Sequence, residues 1–382
     1  MSAILTLNAG SSSIKFGLYA AAHDPEPLAD GQVENLGDAA VMEVGDARLE
    51  IGPADHGTAV AAILRGISPF LEGREVEAVG HRVVHGGTTF AAPVRLHDDE
   101  IAQLEALIPL APLHQPHNLA GVRAAREAFP DAIQVACFDT AFHQGHPFVD
   151  DAFALPRRYY DEGIRRYGFH GLSYDYIASC LRADHPALYE GRVIVAHLGN
   201  GASLCAMKGG QSVSCSMGFS ALDGVPMGTR PGQLDPGVLL HLMGQGMGVD
   251  EMTRLLYHES GLKGLSGLTH DMRTLLASDA PQARQALEYY TYHVRRQIGA
   301  MAAGLGGLDA LVFTGGVGEH AAQIRARILD GLEFLGLSLS EDANARHARK
   351  IHAGPLPVLV IPTDEEQVIA RAANGWLRRH RM

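Results

Sequence analysis

The first residues able to do chemistry are Asn8-Ala9-Gly10-Ser11-Ser12-Ser13, with Lys15 just beyond. Gly10 permits close backbone approach, Ser11 and Ser13 offer amide and hydroxyl donors, and Lys15 supplies a cation, a set suited to phosphate oxygens. This is not a Walker A loop, which needs GxxxxGK[ST] leading into a helix. Ile14, Phe16 and Leu18 alternate with Lys15, Gly17 and Tyr19, so the turn joins two strands and the grip belongs to a hairpin. A second strand-turn-strand unit, Val193-Ile194-Val195-Ala196-His197-Leu198-Gly199-Asn200-Gly201-Ala202-Ser203-Leu204, lies nearly half a chain later. Asn, Gly and Ser are ordinary turn residues, so either hairpin alone reads equally well as a plain connection. Their repetition suggests two related domains facing across a cleft, each with one phosphate-gripping turn.

Other polar residues stand where turns would present them. Arg82 lies in Gly80-His81-Arg82-Val83-Val84-His85-Gly86-Gly87 and Arg230 in Met227-Gly228-Thr229-Arg230-Pro231-Gly232. A guanidinium so flanked can grip carboxylate or phosphate in two-pronged fashion, although a single arginine is more often a solvated surface residue. His81 and His85 have half the spacing of a zinc site, but no HExxH glutamate accompanies them and Val83-Val84 argue for a strand. Asp139 ends the apolar run Ile133–Phe138, the usual place for a functional carboxylate in an α/β sheet. His170 precedes a helix for which Ser173 is the expected cap, and Glu365 falls in the first turn of the last helix, where dipole stabilisation alone would explain it. A third glycine turn, Gly315-Gly316-Val317-Gly318-Glu319-His320, suits a strand-to-helix connection. Its functional reading is an adenosine-side contact against bare backbone.

The elements that must position these groups follow from periodicity. Strands are expected at Ile4–Leu7, Ile14–Tyr19, Ala78–Val84, Ile133–Phe138, Val193–His197, Ala202–Met207, Ala310–Thr314 and Val358–Ile361. Helices are expected at Asp98–Ile108, Ser173–Leu181, Pro281–Ala303 and Glu319–Leu335, with a last one capped by Thr363 and Glu366. The alternation of the two defines an α/β protein. At 382 residues, 46% hydrophobic and 19% charged, the chain is globular and long enough for two domains. A formal charge of -12 argues against non-specific nucleic-acid binding but not against an anionic substrate, which local arginines can hold. The start of the chain reads as neither signal peptide nor membrane span, and Cys137, Cys180, Cys205 and Cys215 form no CxxC pair. They read as reduced residues of a cytoplasmic protein.

Taken in order, NAGSSSIKF, GHRVVHGG, LAPLHQPHN, CFDTAFH, RRYGFHG, AHLGNGAS, MGTRPGQLDP, HDMR, FTGGVGEH and IPTDEEQVIA resemble the acetate kinase family over nearly the whole chain. The resemblance implies a duplicated ribonuclease-H-like core of the actin, Hsp70 and sugar-kinase type around a central cleft, usually as a homodimer. It implies an acid-kinase domain at 1–143 plus 367–382 and a nucleotide-binding domain at 144–366. By matching position, Asn8 and Glu365 would help hold Mg²⁺ or Mn²⁺. Lys15, Ser11, Ser13, His197, Leu198, Gly199, Asn200, Gly201, Asp271, Met272, Arg273, Gly316, Val317, Gly318, Glu319 and His320 would bind ATP or ADP. Arg82 would hold the acid's carboxylate and His170 and Arg230 the moving phosphoryl, with Asp139 the acid/base candidate. Val84, Leu113, Phe169 and Ala221 match the apolar acyl pocket.

Several positions depart from the family pattern. Thr88 stands where glutamate is common, Tyr174 for histidine, Ala221 for proline, Pro231-Gly232-Gln233 for SGD, and His320 for asparagine. Proline to alanine widens an acyl pocket, and one methylene there is worth only about 1–3 kcal/mol, so propionate competes with acetate as the preferred acid. The implied reaction is direct, reversible, in-line transfer between ATP and acetate. The acid is ionised at neutral pH, its pKa being near ~4, so Asp139 is expected to orient groups rather than remove a proton. A sugar kinase, where Asp139 would be a true base, and an ATP-binding switch are the alternatives on the same fold.

Overall fold

The hairpin read from the first alternation is the centre from which a sheet grows in both directions. β1 (Ser2–Ala9) pairs antiparallel with β2 (Ser13–Ala20) in the computed structural model, which describes residues 2–381. The chain divides into two compact units, Met1–Gln144 with Asp364–Met382, and Gly145–Thr363. In the first unit β3 (Glu26–Glu34), β4 (Gly37–Val44) and β5 (Ala47–Ala54) extend the sheet beyond β2, while β6 (Glu75–Val83), β7 (Val94–Arg95) and β8 (Ile133–Phe138) lie on the side of β1. The order is β5-β4-β3-β2-β1-β6-β8-β7, with β1, β6 and β8 mutually parallel. Alternate residues of β1 and β2, Leu5, Leu7, Ile14 and Phe16, join one apolar core with Val60 and Ile63 of α1 (His56–Ile67). α2 (Gln115–Ala128) packs beside α1 and against β1 and β6. The C-terminal helix, Glu365–His380, also returns to this unit. It lies so close to β6 that a Cβ at Gly80 would meet Ile369 at 2.4 Å.

The second unit repeats the plan. β9 (Arg192–Leu198), β10 (Ala202–Lys208), β11 (Gln211–Cys215), β12 (Ala310–Thr314) and β13 (Val358–Val360) run in the order β11-β10-β9-β12-β13. β9 is antiparallel to β10 and parallel to β12, as β1 is to β2 and β6. The five central strands of the first unit, β3-β2-β1-β6-β8, therefore match the whole sheet of the second, as the paired hairpins implied. α3 (Gly171–Asp184) packs against β9, and α4 (Pro281–Leu305) lays Ala286, Leu287, Val294 and Ile298 into the core. Pro281 begins α4 and Gly306, at φ 70°, ends it.

Three local expectations are corrected. The helix read as Glu319–Leu335 is broken into Gly315–His320, Ala322–Leu329 and the short turn Glu333–Leu335. Arg325 explains the first break: its Nη1 donates to the Gly318 and Glu319 carbonyls at 2.8 Å each, and these are the acceptors a continuous helix would use for its own amides. Ser173 does not cap α3, because His170 holds the position before it at φ 59° and Ser173 lies within the first turn. The last helix is capped by Asp364, which accepts from Gln367 N at 2.9 Å, rather than by Thr363. All four cysteines are free thiols.

One ion pair closes the second sheet at its start. Arg192 Nη2 donates to Asp309 Oδ1 at 2.8 Å, and the Arg192 amide donates to Oδ2 at 2.8 Å, tying the heads of β9 and β12. These bonds to Arg192 hold the Asp309 carboxyl down at about 2. A depressed carboxyl stabilises the fold above its unfolded pKa and loses that contribution as pH falls through the folded value. The side chains are 34% and 37% exposed, so solvent screening keeps the pair's contribution small. Asp309→Asn is accordingly expected to lower Tm slightly at neutral pH, the gap from wild type shrinking as the buffer is taken from pH ~4 towards ~2. Thermal melts across that range check this; a gap independent of pH would contradict it.

Candidate active site

Because β1, β6 and β8 are parallel, their C-terminal ends open along one edge of the first sheet. Asn8 lies at the end of β1, Arg82 at the end of β6, and Asp139 directly after β8. The C-terminal helix brings Glu365, its first residue, to the same place. Arg82 Nη2 donates to Asp139 Oδ2 at 2.6 Å and Nε to Oδ1 at 3.0 Å, while Nη1 reaches Asn8 Oδ1 at 3.3 Å. Glu365 Oε2 stands 3.8 Å from Arg82 Nε. Burial works against the Arg82 cation, but the Asp139 and Glu365 carboxylates more than offset it and raise its pKa. Glu365 is pushed up to about 7, first by burial and then by Asp139 and Glu366, against the attraction of Arg82 and Lys15.

The loop after β6 is fixed by groups the sequence did not single out. Asn118 of α2 accepts from Val84 N at 3.0 Å and donates to Ala9 O at 2.6 Å, clamping the ends of β6 and β1. Gln115 accepts from His85 N and donates to His85 O, and Thr140 accepts from Gly86 N. Val84 is buried and Leu113 half-buried just before α2. His81 bonds to Gln134 at 2.8 Å and His85 Nδ1 accepts from Gly87 N, so both histidines serve the fold. In the hairpin turn Gly10 N donates to Ser13 O at 2.8 Å, leaving Ser11 exposed and Ser13 half-buried. Lys15 lines a polar cavity of about 540 Å³ with Asp364 and Glu366.

In the second unit the polar groups gather around the β9–β10 turn. His170 and His197 stack with ring centroids 4.4 Å apart. His170 Nδ1 lies 2.8 Å from Ser203 Oγ and His197 Nδ1 2.8 Å from Ser173 Oγ. A Cβ at Gly201 would stand 2.8 Å from Arg230 Nη2 and 3.4 Å from His170 Nε2, so glycine leaves those two groups their approach. Arg230 Nη1 donates to the Ala221 carbonyl at 2.8 Å; among the described residues no carboxylate pairs with it. Burial lowers its pKa, and a desolvated guanidinium without a counter-ion is a ready anion site. Phe169, the residue before His170, is buried.

A cavity of about 600 Å³ adjoins this turn, a size suited to a small organic ligand. Gly199, Asn200, Asp271, Met272, Arg273, Gly316, Val317 and His320 line it, drawn from three separate sequence motifs. Leu198 and Gly318 are buried behind the lining. Asp271 caps the short helix Met272–Leu276 through Thr274, and the Arg273 guanidinium with those bonds holds its carboxyl well below the usual range. Glu319 faces inward: its Oε1 accepts from Gly315 N at 2.9 Å and Thr363 N at 3.2 Å. Gly228, Leu262, His270, Leu276 and Ala321 complete the lining and were not named as site residues from the sequence, although Gly228 and His270 lie inside motifs that were noticed and Ala321 follows one.

Two sheets sharing a five-strand order, each with a glycine turn after its first strand, one with an arginine–carboxylate cluster and one with an arginine lacking a carboxylate partner among the described residues and a nucleoside-sized cavity beside its turn, define a phosphotransferase of the duplicated α/β kind. The acetokinase family model matches residues 3–371, and the chain belongs to that family. It is 53% identical to the acetate kinase of Methylocella silvestris over 96% of both chains, and 45% identical to the propionate kinase of Citrobacter rodentium over 96% of this chain and 95% of that one. The crystal structure of Porphyromonas gingivalis acetate kinase superposes with a TM-score of 0.89 at 37% identity, covering 99% of this chain and 100% of the other.

The cavity gives a test of its own. Gly228 N donates to Asn200 O, and a Cβ at Gly228 would lie 2.2 Å from Asn200 Oδ1, displacing a lining side chain. Gly228→Ala is expected to weaken ATP binding by about tenfold or more, equivalent to ~1.4 kcal/mol. Calorimetric titration with ATP checks this; unchanged affinity would remove Asn200 from the site.

Proposed function

We propose that this chain transfers a phosphoryl group reversibly between ATP and acetate, giving acetyl phosphate and ADP. The observation that carries the reading is the Arg82 guanidinium held by Asp139 and Asn8 with an oriented edge, in a family whose curated members include acetate kinases. Such an arginine suits a carboxylate acceptor. The first unit serves as the acid-binding domain and the second as the nucleotide-binding domain, with the adenosine in the cavity lined by Met272, Leu276 and Val317. Ser11, Ser13 and Lys15 assist the phosphates.

A carboxylate nucleophile brings its own charge, so no base is required and catalysis rests on alignment and charge stabilisation. Arg82 orients the acid, Asp139 keeps Arg82 in register, and Arg230 with His170 meets charge spread over the transferring group. The residues also fit a divalent metal. Glu365 and Asn8 offer hard oxygen donors, and burial beside Asp139 and Glu366 disfavours the Glu365 anion, which a bound cation would stabilise. Mg²⁺, or Mn²⁺, takes only one or two protein carboxylates when phosphates complete its shell, and it would neutralise phosphate charge there.

Propionate is the runner-up acid, favoured by Ala221 and by similarity to propionate kinases. Hydroxylamine trapping with ATP, Mg²⁺ and acetate, propionate or glycerol separates the readings, since only an acyl phosphate yields hydroxamate. Hydroxamate from acetate, lost on chelation with EDTA, is expected. No hydroxamate from either acid would overturn the proposal. Arg230→Ala should lower kcat by about 10²-fold or more with a smaller effect on ATP binding.

We also infer a homodimer in the cytoplasm. The four free thiols suit a reducing compartment. The helix Pro236–Gly244 buries none of its apolar residues, leaving Leu240 70% and Met243 52% exposed. A second copy would cover this face. Leu240→Glu is expected to convert a dimer into a monomer by light scattering; an unchanged mass would exclude this face.

A further inference from the structure

Two hydrogen-bonded chains of the same design end on the stacked histidines of the second unit. In one, Tyr174 Oη lies 2.5 Å from Ser203 Oγ, which lies 2.8 Å from His170 Nδ1. In the other, Thr363 Oγ1 donates to Ser173 Oγ at 2.8 Å, and Ser173 Oγ lies 2.8 Å from His197 Nδ1. Tyr174, Ser203 and Ser173 are fully buried at 0% exposure, so these hydroxyls rely on the partners the fold gives them.

Proton direction follows from donor strength. A serine hydroxyl has one proton to give. A phenol is a far better donor than an aliphatic alcohol and a poorer acceptor, so Tyr174 donates to Ser203. Ser203 must then send its own proton to His170 Nδ1, which has to be a bare acceptor nitrogen. The second chain runs the same way, since Ser173 already receives the Thr363 proton. Each imidazole is thereby left with its N–H on Nε2. For His170 that atom faces the space beside Gly201 into which Arg230 Nη2 also points.

We propose that Tyr174 and Ser203 are positioning residues that fix His170 as its Nε2–H tautomer, so that it offers a hydrogen-bond donor to the transferring phosphoryl without needing a second proton. This deepens the phosphoryl-transfer reading and rests on it for the role of the donor, though not for the tautomer. Among the groups set against His170 are His197 stacked on it from β9, Arg230 from the loop after Met227, and Tyr174 from α3 through Ser203. The Arg230 guanidinium opposes an imidazolium there. A fixed neutral donor is the arrangement this environment supports. It also gives Tyr174 a role, as the donor that turns the Ser203 proton toward His170.

The tautomer can be read directly. In protein labelled with ¹⁵N-histidine, long-range ¹H–¹⁵N spectra distinguish a protonated ring nitrogen from a bare one, and His170→Gln identifies the signals. The wild type is expected to show His170 protonated at Nε2 and bare at Nδ1 near neutral pH. Ser203→Ala should mix the tautomers, while Ser203→Thr, which keeps the hydroxyl, should retain the wild-type pattern. In turnover, Ser203→Ala is expected to lose about tenfold or more in kcat at pH ~8.5. It should regain much of this near pH ~6, where an imidazolium carries both N–H groups. Wild type and Ser203→Thr should lack that alkaline loss. A wild-type His170 protonated at Nδ1, or a Ser203→Ala profile parallel to wild type with normal melting, would overturn the proposal. Absence of acyl-phosphate formation by the wild type would instead defeat the functional reading while leaving the spectra interpretable.

Discussion

The first strand of each sheet is held antiparallel on one side and parallel on the other, and the functional geometry depends on that mixed pairing. The antiparallel partner requires a tight return at the end of β1 and of β9, which is why glycine-bearing turns stand there. The parallel partners β6, β8, β12 and β13 arrive from long crossovers and end on the same edge. Polar residues at strand ends are thus gathered without any being local in sequence: Asn8, Arg82 and Asp139 in one unit, His197 and the Gly315–His320 turn in the other. Because the residues next to them inside the strands are buried, the gathering cannot slip by one position without turning core side chains outward.

The same plan is used for different chemistry. In the first unit the edge carries an arginine matched by carboxylates, with Asp139 bound in two-pronged fashion and Glu365 close by. In the second the arginine has no carboxylate partner among the described residues and the edge carries stacked imidazoles. A paired guanidinium is rigid and presents a defined edge to a ligand, whereas an unpaired, desolvated one has its attraction held in reserve for an anion. That division suits a reaction in which a resting carboxylate is held and a shifting phosphoryl charge is stabilised.

Much of this was legible in the sequence because it follows from period and turn chemistry. Alternation in Ile14–Tyr19 and the largely apolar run Ile133–Phe138 located β2 and β8, and the repeated hairpin disclosed the duplication. β3, β4 and β5 were not read: Pro27, Pro53 and several acidic residues give them the composition of a loop, and their burial comes mostly from one face. Gln115 and Asn118 fall in the quoted segment LAPLHQPHN but their roles were not read, since their work is done on backbone 30 and 34 residues away. The broken helix after Gly315 turns on one buried cation, Arg325, whose partners Asn344 and His347 lie far along the chain.

Steady-state kinetics of Arg82→Lys test the central assignment most directly. Lysine keeps the charge but cannot keep both the two-pronged bond to Asp139 and an edge for the acid. The acetate KM is expected to rise by about tenfold or more, corresponding to ~1.4 kcal/mol, while the ATP KM stays near its wild-type value. A rise confined to the ATP KM, or equal rises for both substrates, would contradict the placement of the acid on Arg82.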